Sequence, residues 1–390
     1  MLVFFKIFSG ISQLIFPSIN SNPVLAFLDN VPLPLGLSFI VFQILSCLID
    51  TYRDPRKIPR GNIDYLTYLF FFPKILSGPI TKYGLFENQL YSINTNWGRT
   101  ADGLRRFIKG LAKKVLIADQ IAVVVDSAFG LAEPSFSTGI AWFVLISFFI
   151  QIYYDFSGYI DMALGIAQIF GIDLPENFNK PYRATSVSDF WRRWHITLQT
   201  WFRDYVFYPL EFKRRKVKFF RVESHVLLVF FLTGLWHGIT LNYILWGLLQ
   251  GFLIILENSR FGKWLKKMPS ILQHGYLIIV VLIGWVFFRS PNLFYAIHFF
   301  KRLVGLYKDY PVYPFQITQP IPIINNSVIF SVLIGLIFLF PVEKIFYQIR
   351  SKDNYVIFRI LNNLLYLIAL IASIAFIANQ EFIPSIYGQF

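Results

Sequence analysis

Apolar blocks of membrane-spanning length dominate this sequence and limit what the chain can fold into. A helix needs about 20 apolar residues to cross a bilayer. Hydrophobic residues make up 55% of the chain and charged residues 15%, whereas soluble domains carry about 25% charged residues. So few charges cannot cover a water-exposed surface, and we predict an all-α polytopic membrane protein with about ten membrane-embedded helices. The apolar blocks lie at 2–16, 31–49, 63–77, 104–129, 139–170, 224–256, 276–300, 327–347 and 355–379.

The formal net charge of +14 is concentrated in short loops beside these blocks. This is the positive-inside pattern of cytoplasmic loops, and it favours contact with the anionic headgroups of the lipid bilayer. We expect no nucleic-acid partner, because no soluble basic domain exists to carry one. The basic clusters are Arg53, Arg56, Lys57 and Arg60; Arg105, Arg106, Lys109, Lys113 and Lys114; 213–216; and Arg260, Lys263, Lys266 and Lys267.

Several blocks contain interruptions that predict local structure. Pro73 and Gly78-Pro79 stop a helix within apolar surroundings, so this stretch should be buried in protein or re-entrant. Block 224–256 is long enough for two spans with a turn near Asn242. Block 104–129 is amphipathic, with basic residues near its start, and is expected to lie partly in the membrane interface.

The N-terminus and the cysteine content each exclude one class of feature. The first 16 residues are apolar and precede no small-residue cleavage site, so we expect a retained membrane segment rather than a cleaved signal peptide. Cys47 is the only cysteine, which excludes an intramolecular disulfide and a thiolate metal site. We expect it to be a buried small hydrophobe.

Hydropathy falls between 171 and 223, although aromatic residues remain frequent. Read as one helix, 188–205 places four apolar residues on one face and four polar residues on the other. Such a basic, Trp-rich amphipathic helix suits the membrane interface or a half-buried cytoplasmic entrance. The apolar face holds Trp191, Trp194, Leu198 and Trp201, and the polar face holds Arg192, Arg193, Gln199 and Arg203.

His237 is the ionisable residue placed deepest in an apolar run, at 230–240. Such residues are costly within membranes and are often functional, and burial favours the neutral imidazole that can accept a hydroxyl proton. On a continuous helix Thr233 and Thr240 would share its face. A structural role has equal weight, because the Gly234-x-x-x-Gly238 spacing would let a second helix approach and accept a hydrogen bond from His237.

His195 is the second histidine in a distinctive context, at the end of Asp189-Phe190-Trp191-Arg192-Arg193-Trp194-His195. Asp189 and Arg193 have i,i+4 spacing and are expected to pair. The arginines could hold the phosphates of an acyl carrier. Judged on these residues by themselves, contact with lipid phosphates is the better-supported role.

Two aspartates within a membrane block, Asp155 and Asp161, should line a polar cavity or form buried pairs. A metal site built by His195 and His237 has no H-E-x-x-H motif or carboxylate cluster to support it. We therefore predict no metal and no bound cofactor.

Eight short segments have distinctive compositions and a fixed order along the chain. They are LPLGLSF (33–39), SGPI (77–80), YDFSGY (154–159), LPENFNKPY (174–182), DFWRRWHITL (189–198), WFRDY (201–205), GLWHG (234–238) and, weakly, FIPSIY (382–387). Together they closely resemble the membrane-bound O-acyltransferase (MBOAT) family, and within it the bacterial branch linked to alginate O-acetylation. Members of that branch usually have further N-terminal spans, so the chain is expected to be shorter at its front.

The resemblance implies a ring of helices around a central tunnel, with His237 as the general base and His195 as a second catalytic histidine. Acetyl-CoA or a similar thioester would enter from the cytoplasm, and the acetyl group would reach an exported polysaccharide, directly or through a periplasmic or secreted acyltransferase. The expected location is the bacterial cytoplasmic (inner) membrane. Substrate contacts are expected from Asn177, Asp189, Trp191, Arg192, Arg193, Trp194, Trp236 and Asp155.

The expected organisation is a single domain over 1–390, with core motifs at 30–255 and peripheral C-terminal helices at 270–380. Three other functions stay open from the sequence. One is transfer of D-alanyl or another acyl group to a cell-wall polymer. The second is proton-coupled transport through the intramembrane His and Asp residues, and the third is an inactive scaffold that recruits a soluble acyltransferase.

Overall fold

A computed structural model describes residues 36–217, 219–306, 323–339 and 355–379. Within these residues the elements are helices joined by short irregular segments, with one isolated β-bridge between Phe178 and Trp194. The all-α prediction is therefore confirmed for the described part of the chain. The predictions for residues 2–16 and for the motif at 382–387 lie outside the described residues.

The first half of the chain leads to one long central helix. Its helices are α1 (Leu37–Arg53), α2 (Asn62–Phe70), α3 (Phe72–Ile75), α4 (Tyr83–Leu90), α5 (Trp97–Ala112), a π-helical turn (Lys113–Ala118), α6 (Asp119–Phe129) and α7 (Thr138–Ile169).

The second half begins with short helices and continues with longer apolar ones. They are α8 (Val187–Trp191), α9 (Ile196–Phe202), a π-helical turn (Arg203–Phe207), α10 (Tyr208–Lys213), α11 (Arg221–His237), α12 (Leu241–Glu257), α13 (Arg260–Leu265), α14 (Ser270–Arg289), α15 (Leu293–Leu303), α16 (Asn326–Leu339) and α17 (Tyr355–Asn379).

The central helix α7 packs closely along α5 through two pairs of glycines. A Cβ atom on Gly103 would lie 2.7 Å from the carbonyl oxygen of Gly165, and one on Gly110 would lie 2.4 Å from that of Gly158. Real Cβ atoms do not approach backbone oxygens so closely, so larger residues would push the helices apart. These glycines therefore set the distance between α5 and α7.

Buried ion pairs add to this contact. Lys113 Nζ lies 2.7 Å from Asp161 Oδ2, and Lys114 Nζ lies 2.7 Å from Asp155 Oδ1 and 2.6 Å from Asp119 Oδ1. Of the two roles predicted for Asp155 and Asp161, the structure supports buried pairing. Paired charges of this kind are costly to break by removing one partner, because the other charge stays buried.

Three helices among the described residues are long and apolar enough to cross a membrane: Thr138–Ile169, Ser270–Arg289 and Arg359–Asn379. Their surroundings differ. Within its most apolar window, 67% of Thr138–Ile169 is buried inside the protein, but only 6% of Arg359–Asn379 is buried. The helix α7 is therefore a core helix, whereas the apolar part of α17 lies at the surface. The number of about ten membrane-embedded helices remains a prediction.

Two of the predicted interruptions are confirmed. Block 224–256 forms α11 and α12, with the turn at 238–240, two residues before Asn242. The helix in block 63–77 ends before Pro73, and the Gly78-Pro79 stretch that follows is buried, as irregular backbone at membrane depth must be. Cys47 is also buried as expected.

The prediction of one continuous helix over 188–205 is wrong. His195 has φ 47° and ψ 50°, a left-handed conformation that ends the helical path between α8 and α9. Backbone hydrogen bonds from the chain before α8 compensate for the break, since Asn179 N donates to Arg193 O at 2.9 Å and Ile196 N donates to Asn177 O at 3.0 Å. Tertiary hydrogen bonds thus replace the local helical ones.

Candidate active site

His237 is the last residue of α11 and is buried beside the turn that leads into α12. Gly234, one turn earlier, lets α12 approach, because a Cβ atom there would lie 2.4 Å from the carbonyl oxygen of Tyr243. Gly247 has the same function on α12, where a Cβ atom would lie 2.3 Å from the carbonyl oxygen of Phe230. The sequence-based expectation that glycines bring these helices together is confirmed.

Aromatic rings enclose the imidazole of His237. Its ring centroid lies 4.5 Å from that of Trp236 and 4.9 Å from that of Phe288, with Trp246 at 5.2 Å and Tyr243 at 6.0 Å. These rings come from α11, α12 and α14, so three helices surround His237.

His195 is a second buried histidine that contacts Trp236. Its ring centroid is 6.2 Å from that of Trp236, and it also contacts Phe39 at 6.4 Å and Phe156 at 4.9 Å. Burial lowers the pKa of His195 to about 3, so this ring is neutral at physiological pH. The fold thus brings two buried histidines, 42 positions apart in sequence, into contact with the same indole ring.

Asn177 holds the turn that carries His195. Its Oδ1 accepts hydrogen bonds from Thr197 N at 3.1 Å and Thr197 Oγ1 at 3.0 Å, and it lies 3.3 Å from His195 Nδ1. The side chain of Asn177 is completely buried. We predicted a substrate contact for this residue, and the structure places it behind His195, where it supports the histidine.

A half-open cavity of about 180 Å³ lies beside His195, between α8, α9, α11 and α12. One wall is a stripe along α11 formed by Val226, Val229, Phe230 and Thr233. His237 continues this stripe, because it follows Thr233 by four residues on the same helix. The other lining residues are Trp191, His195, Leu198, Gln199, Phe202, Arg203, Phe207 and Ile254.

The helix α8 is anchored to the end of α12 by one carboxylate. Glu257 accepts hydrogen bonds from Val187 N, Ser188 N and Ser188 Oγ. These backbone N–H groups belong to the first turn of α8, where they have no partner within the helix. Trp191, at the other end of α8, donates from Nε1 to Gln250 Oε1 at 3.1 Å, and the two contacts fix the cavity wall.

The comparison with protein families agrees with this geometry. The model described as "MBOAT, membrane-bound O-acyltransferase family" matches residues 41–296, more than half of the chain. The chain belongs to this family. The matched range contains both histidines and every residue that lines the cavity.

Named relatives of the chain fall into three groups of MBOAT proteins. A probable alginate O-acetylase AlgI of Pseudomonas syringae pv. tomato is 34% identical, over 84% of this chain and 62% of the relative. A Helicobacter pylori peptidoglycan O-acetyltransferase is 37% identical, over 70% of this chain and 57% of the relative. A Bacillus subtilis teichoic acid D-alanyltransferase is 31% identical, over 65% of this chain and 67% of the relative.

The chain spans only part of the alginate O-acetylases that it matches, between 50% and 76% of their length. The similarity to the alginate O-acetylases supports the branch of the MBOAT family that the sequence motifs indicate.

The charged residues Asp189, Arg192 and Arg193 of the DFWRRWHITL segment do not line the cavity. Arg193 Nε lies 2.9 Å from Asp189 Oδ2, which confirms the predicted pair, and Arg192 is exposed beside the same aspartate. Trp194 is fully buried against Trp285 and Phe190. Of the residues expected to bind substrate, Trp191 alone lines the cavity, and Trp236 contacts both histidines.

Two expectations about the site are corrected by the paths of the helices. Thr240 does not share a face with His237, because α11 ends at His237 and Thr240 is the exposed N-cap residue of α12. Gln199 and Arg203 do not oppose Trp191 and Leu198. The left-handed residue His195 turns α9 relative to α8, so that all four residues line the same cavity.

Gln199 and Arg203 were not predicted as site residues, although a sequence signal was present. They follow His195 by four and eight positions, the spacing of one helix face, and counting from His195 rather than from Trp191 would have selected them. Phe39, Phe156 and Phe288 gave no comparable signal. Aromatic residues are so frequent in this chain, at 19%, that their presence near a motif indicates little.

Proposed function

We propose that this chain is a membrane-bound O-acyltransferase that moves an acetyl group from cytoplasmic acetyl-CoA to an exported polysaccharide. The observation that carries the proposal is that His195 and His237 both contact Trp236, beside a half-open apolar cavity, in a chain of the MBOAT family. The names of the alginate and peptidoglycan O-acetylating relatives favour acetyl as the acyl group.

His237 acts as the general base in the proposed reaction. It removes the proton from an acceptor hydroxyl while that oxygen attacks the thioester carbonyl. A C–O bond forms, the C–S bond breaks, and the imidazolium returns the proton to the departing thiolate. His195 is the second histidine of the site and hydrogen-bonds the donor or the acceptor. Neutral imidazoles are required at both positions, and the aromatic surroundings favour that state.

The cavity beside His195 is the proposed site of the donor's acyl end. Its walls are mostly apolar, as expected for a site that binds the uncharged arm of a thioester, and Arg203 at its edge is half exposed. A guanidinium in that position can pair with a phosphate group. Acetyl-CoA is a co-substrate here, and the proposed chemistry requires no resident cofactor.

The wider setting of the proposed enzyme is the bacterial inner membrane. About ten membrane-embedded helices would surround a tunnel that joins the cytoplasmic donor to an acceptor on the other side. The acceptor is a polysaccharide, reached directly or through a periplasmic or secreted acyltransferase. Transfer of D-alanyl to a cell-wall polymer is the second candidate function, since one group of relatives is named for teichoic acid D-alanylation.

Replacing the proposed base tests the function. His237→Ala should lower CoA release from acetyl-CoA by purified full-length protein, and glycan O-acetylation in cells, by about 10²- to 10⁴-fold, the usual contribution of a general base. His274→Gln is the matched control, because His274 contacts the carbonyl oxygen of Ala184 through Nδ1 and lies outside the cavity lining.

Three outcomes would contradict the proposal. Retained transfer by His237→Ala at normal protein levels would exclude His237 as the base. Proton flux through proteoliposomes that contain no acyl donor would favour a transporter, although Asp155 and Asp161 are already paired with lysines. Absence of thioester cleavage by the purified wild-type protein would favour a scaffold.

A further inference from the structure

The hydrogen bonds behind His195 determine which of its ring nitrogens carries the proton. The Oδ1 atom of Asn177 accepts from the backbone N–H of Thr197 at 3.1 Å. A backbone N–H can only donate, so the amide group must present its oxygen to Thr197 rather than its NH₂ group. The hydrogen bond from the Thr197 N–H therefore fixes the orientation of the Asn177 amide.

A second chain of hydrogen bonds also ends at the Oδ1 atom of Asn177, which again is the acceptor. Ile80 N donates to Thr197 Oγ1 at 3.1 Å, and Thr197 Oγ1 donates to Asn177 Oδ1 at 3.0 Å. Because the Ile80 N–H occupies one lone pair of the hydroxyl, the hydroxyl proton is available for Asn177. The oxygen that faces His195 thus accepts hydrogen bonds from two groups of Thr197, the backbone N–H and the hydroxyl.

We infer that Asn177 holds His195 in the tautomer with the proton on Nδ1, which leaves the lone pair on Nε2. The Nδ1 atom lies 3.3 Å from Asn177 Oδ1, and an acceptor oxygen at this distance attracts a ring N–H and repels a ring lone pair. Asn177 is then a positioning residue for the second histidine of the site.

This tautomer limits the substrate groups that can hydrogen-bond with His195. Nε2 becomes the only atom of neutral His195 that can accept a proton or a hydrogen bond from a substrate bound in the cavity. Phe39, stacked on the ring, and Phe156, at its edge, hold the ring plane in place. A substrate group that contacts His195 must therefore be a donor, such as the hydroxyl of an acceptor or the amide N–H of a pantetheine arm.

The tautomer can be measured without acyl transfer. The full-length protein, labelled with ¹⁵N-histidine and held in lipid nanodiscs, should show a protonated Nδ1 and an unprotonated Nε2 for His195 at neutral pH. The His195 signals are assigned by their loss in the His195→Gln variant. An unprotonated Nδ1 in the wild-type protein would overturn the inference, whatever the variants do.

Variants of Asn177 separate positioning from folding. Asn177→Asp keeps an acceptor oxygen, so we expect Nδ1 of His195 to stay protonated in this variant. Asn177→Leu removes the acceptor, and we expect the second tautomer to be populated and activity to fall at least about 10-fold. Asn179→Leu is the control, because Asn179 is exposed and bonds Arg193 through its backbone.

The activity part of this test rests on the proposed function, whereas the spectrum does not. If the wild type has the expected tautomer but no variant or wild-type protein cleaves acetyl-CoA, the proposed function fails and the positioning by Asn177 stands. If acetyl transfer is present but Asn177→Leu keeps both the wild-type tautomer and the wild-type rate, the positioning fails and the proposed function stands.

Discussion

His195 lines the cavity and has an unfavourable backbone conformation. A left-handed conformation costs a residue other than glycine about 1–2 kcal/mol, and His195 adopts it with φ 47°. Two backbone hydrogen bonds compensate for this cost, one donated by Asn179 N to Arg193 O and one donated by Ile196 N to Asn177 O. The strained turn points α9 toward the cavity, so that Gln199 and Arg203 join His195 in its lining.

The cavity makes a prediction about a single residue on α11. Val229 lines the cavity, and Val229→Trp should fill much of its volume of about 180 Å³. We expect kcat/KM for acetyl-CoA to fall at least about 10-fold, which corresponds to ~1.4 kcal/mol. The thermal midpoint should change little, since the new ring enters existing space and need not displace packed atoms.

The neighbouring residue provides the control for this prediction. Leu228 is exposed on another face of α11 and does not line the cavity. Leu228→Trp adds the same side chain at the next position and should leave the rate for acetyl-CoA unchanged. Equal activity of Val229→Trp and the wild type would show that the cavity is not the donor site.

Between elements, the contact of α11 with α12 has no room for a single added methyl group. A Cβ atom on Gly247 would lie 2.3 Å from the carbonyl oxygen of Phe230. Gly247→Ala should therefore destabilise the protein by about 1–3 kcal/mol, the usual cost of overpacking. Thermal unfolding of the purified protein measures the change, and activity should fall with it, because α11 positions His237.

Gly275 on α14 is the matched position for this comparison. A Cβ atom there meets nothing within 4 Å. Alanine is a better helix former than glycine by about 1 kcal/mol, so Gly275→Ala should be neutral or stabilising. A similar loss of stability in both variants would mean that the tight contact at Gly247 does not limit the packing of α11 and α12.

The elements differ in how far the sequence determines them. The turn between α11 and α12 was predictable, because block 224–256 exceeds one membrane crossing and contains Gly238 and Asn242. The break at His195 was not, because no glycine or proline marks it. Its cause is pairing with 177–179, which is a tertiary contact and leaves no periodic signal.

The candidate site was also predictable from the sequence only in part. The apolar context of His237, the Trp-rich context of His195 and the family resemblance together single out both histidines from the sequence. Their common contact with Trp236 depends on how α9 approaches α11, which hydrophobic periodicity does not encode. The predicted substrate contacts at Asp189, Arg192 and Arg193 followed from charge, and the structure shows that Asp189 pairs with both arginines outside the cavity.

For the whole molecule, the distribution of basic residues predicts the orientation in the membrane. The helix α14 is 20 residues long, or about 30 Å, which matches the hydrocarbon thickness of a bilayer. Lys263, Lys266 and Lys267 precede it, whereas the exposed residue Pro291 follows its other end. Basic loops remain in the cytoplasm, so Lys267 should lie inside and Pro291 outside.

Single cysteines test this orientation, because Cys47 is the only native cysteine and can be removed by Cys47→Ala. In that background we expect Lys267→Cys to react with a membrane-impermeant maleimide in inverted vesicles and not in spheroplasts. Pro291→Cys should react in spheroplasts and not in inverted vesicles, so each variant is the control for the other. Reaction of both cysteines from the same side would mean that α14 does not cross the membrane, and the reverse pattern would place the basic loops outside. The reverse pattern would also count against the proposed entry of acetyl-CoA from the cytoplasm, because the basic loops would then face the opposite side of the membrane.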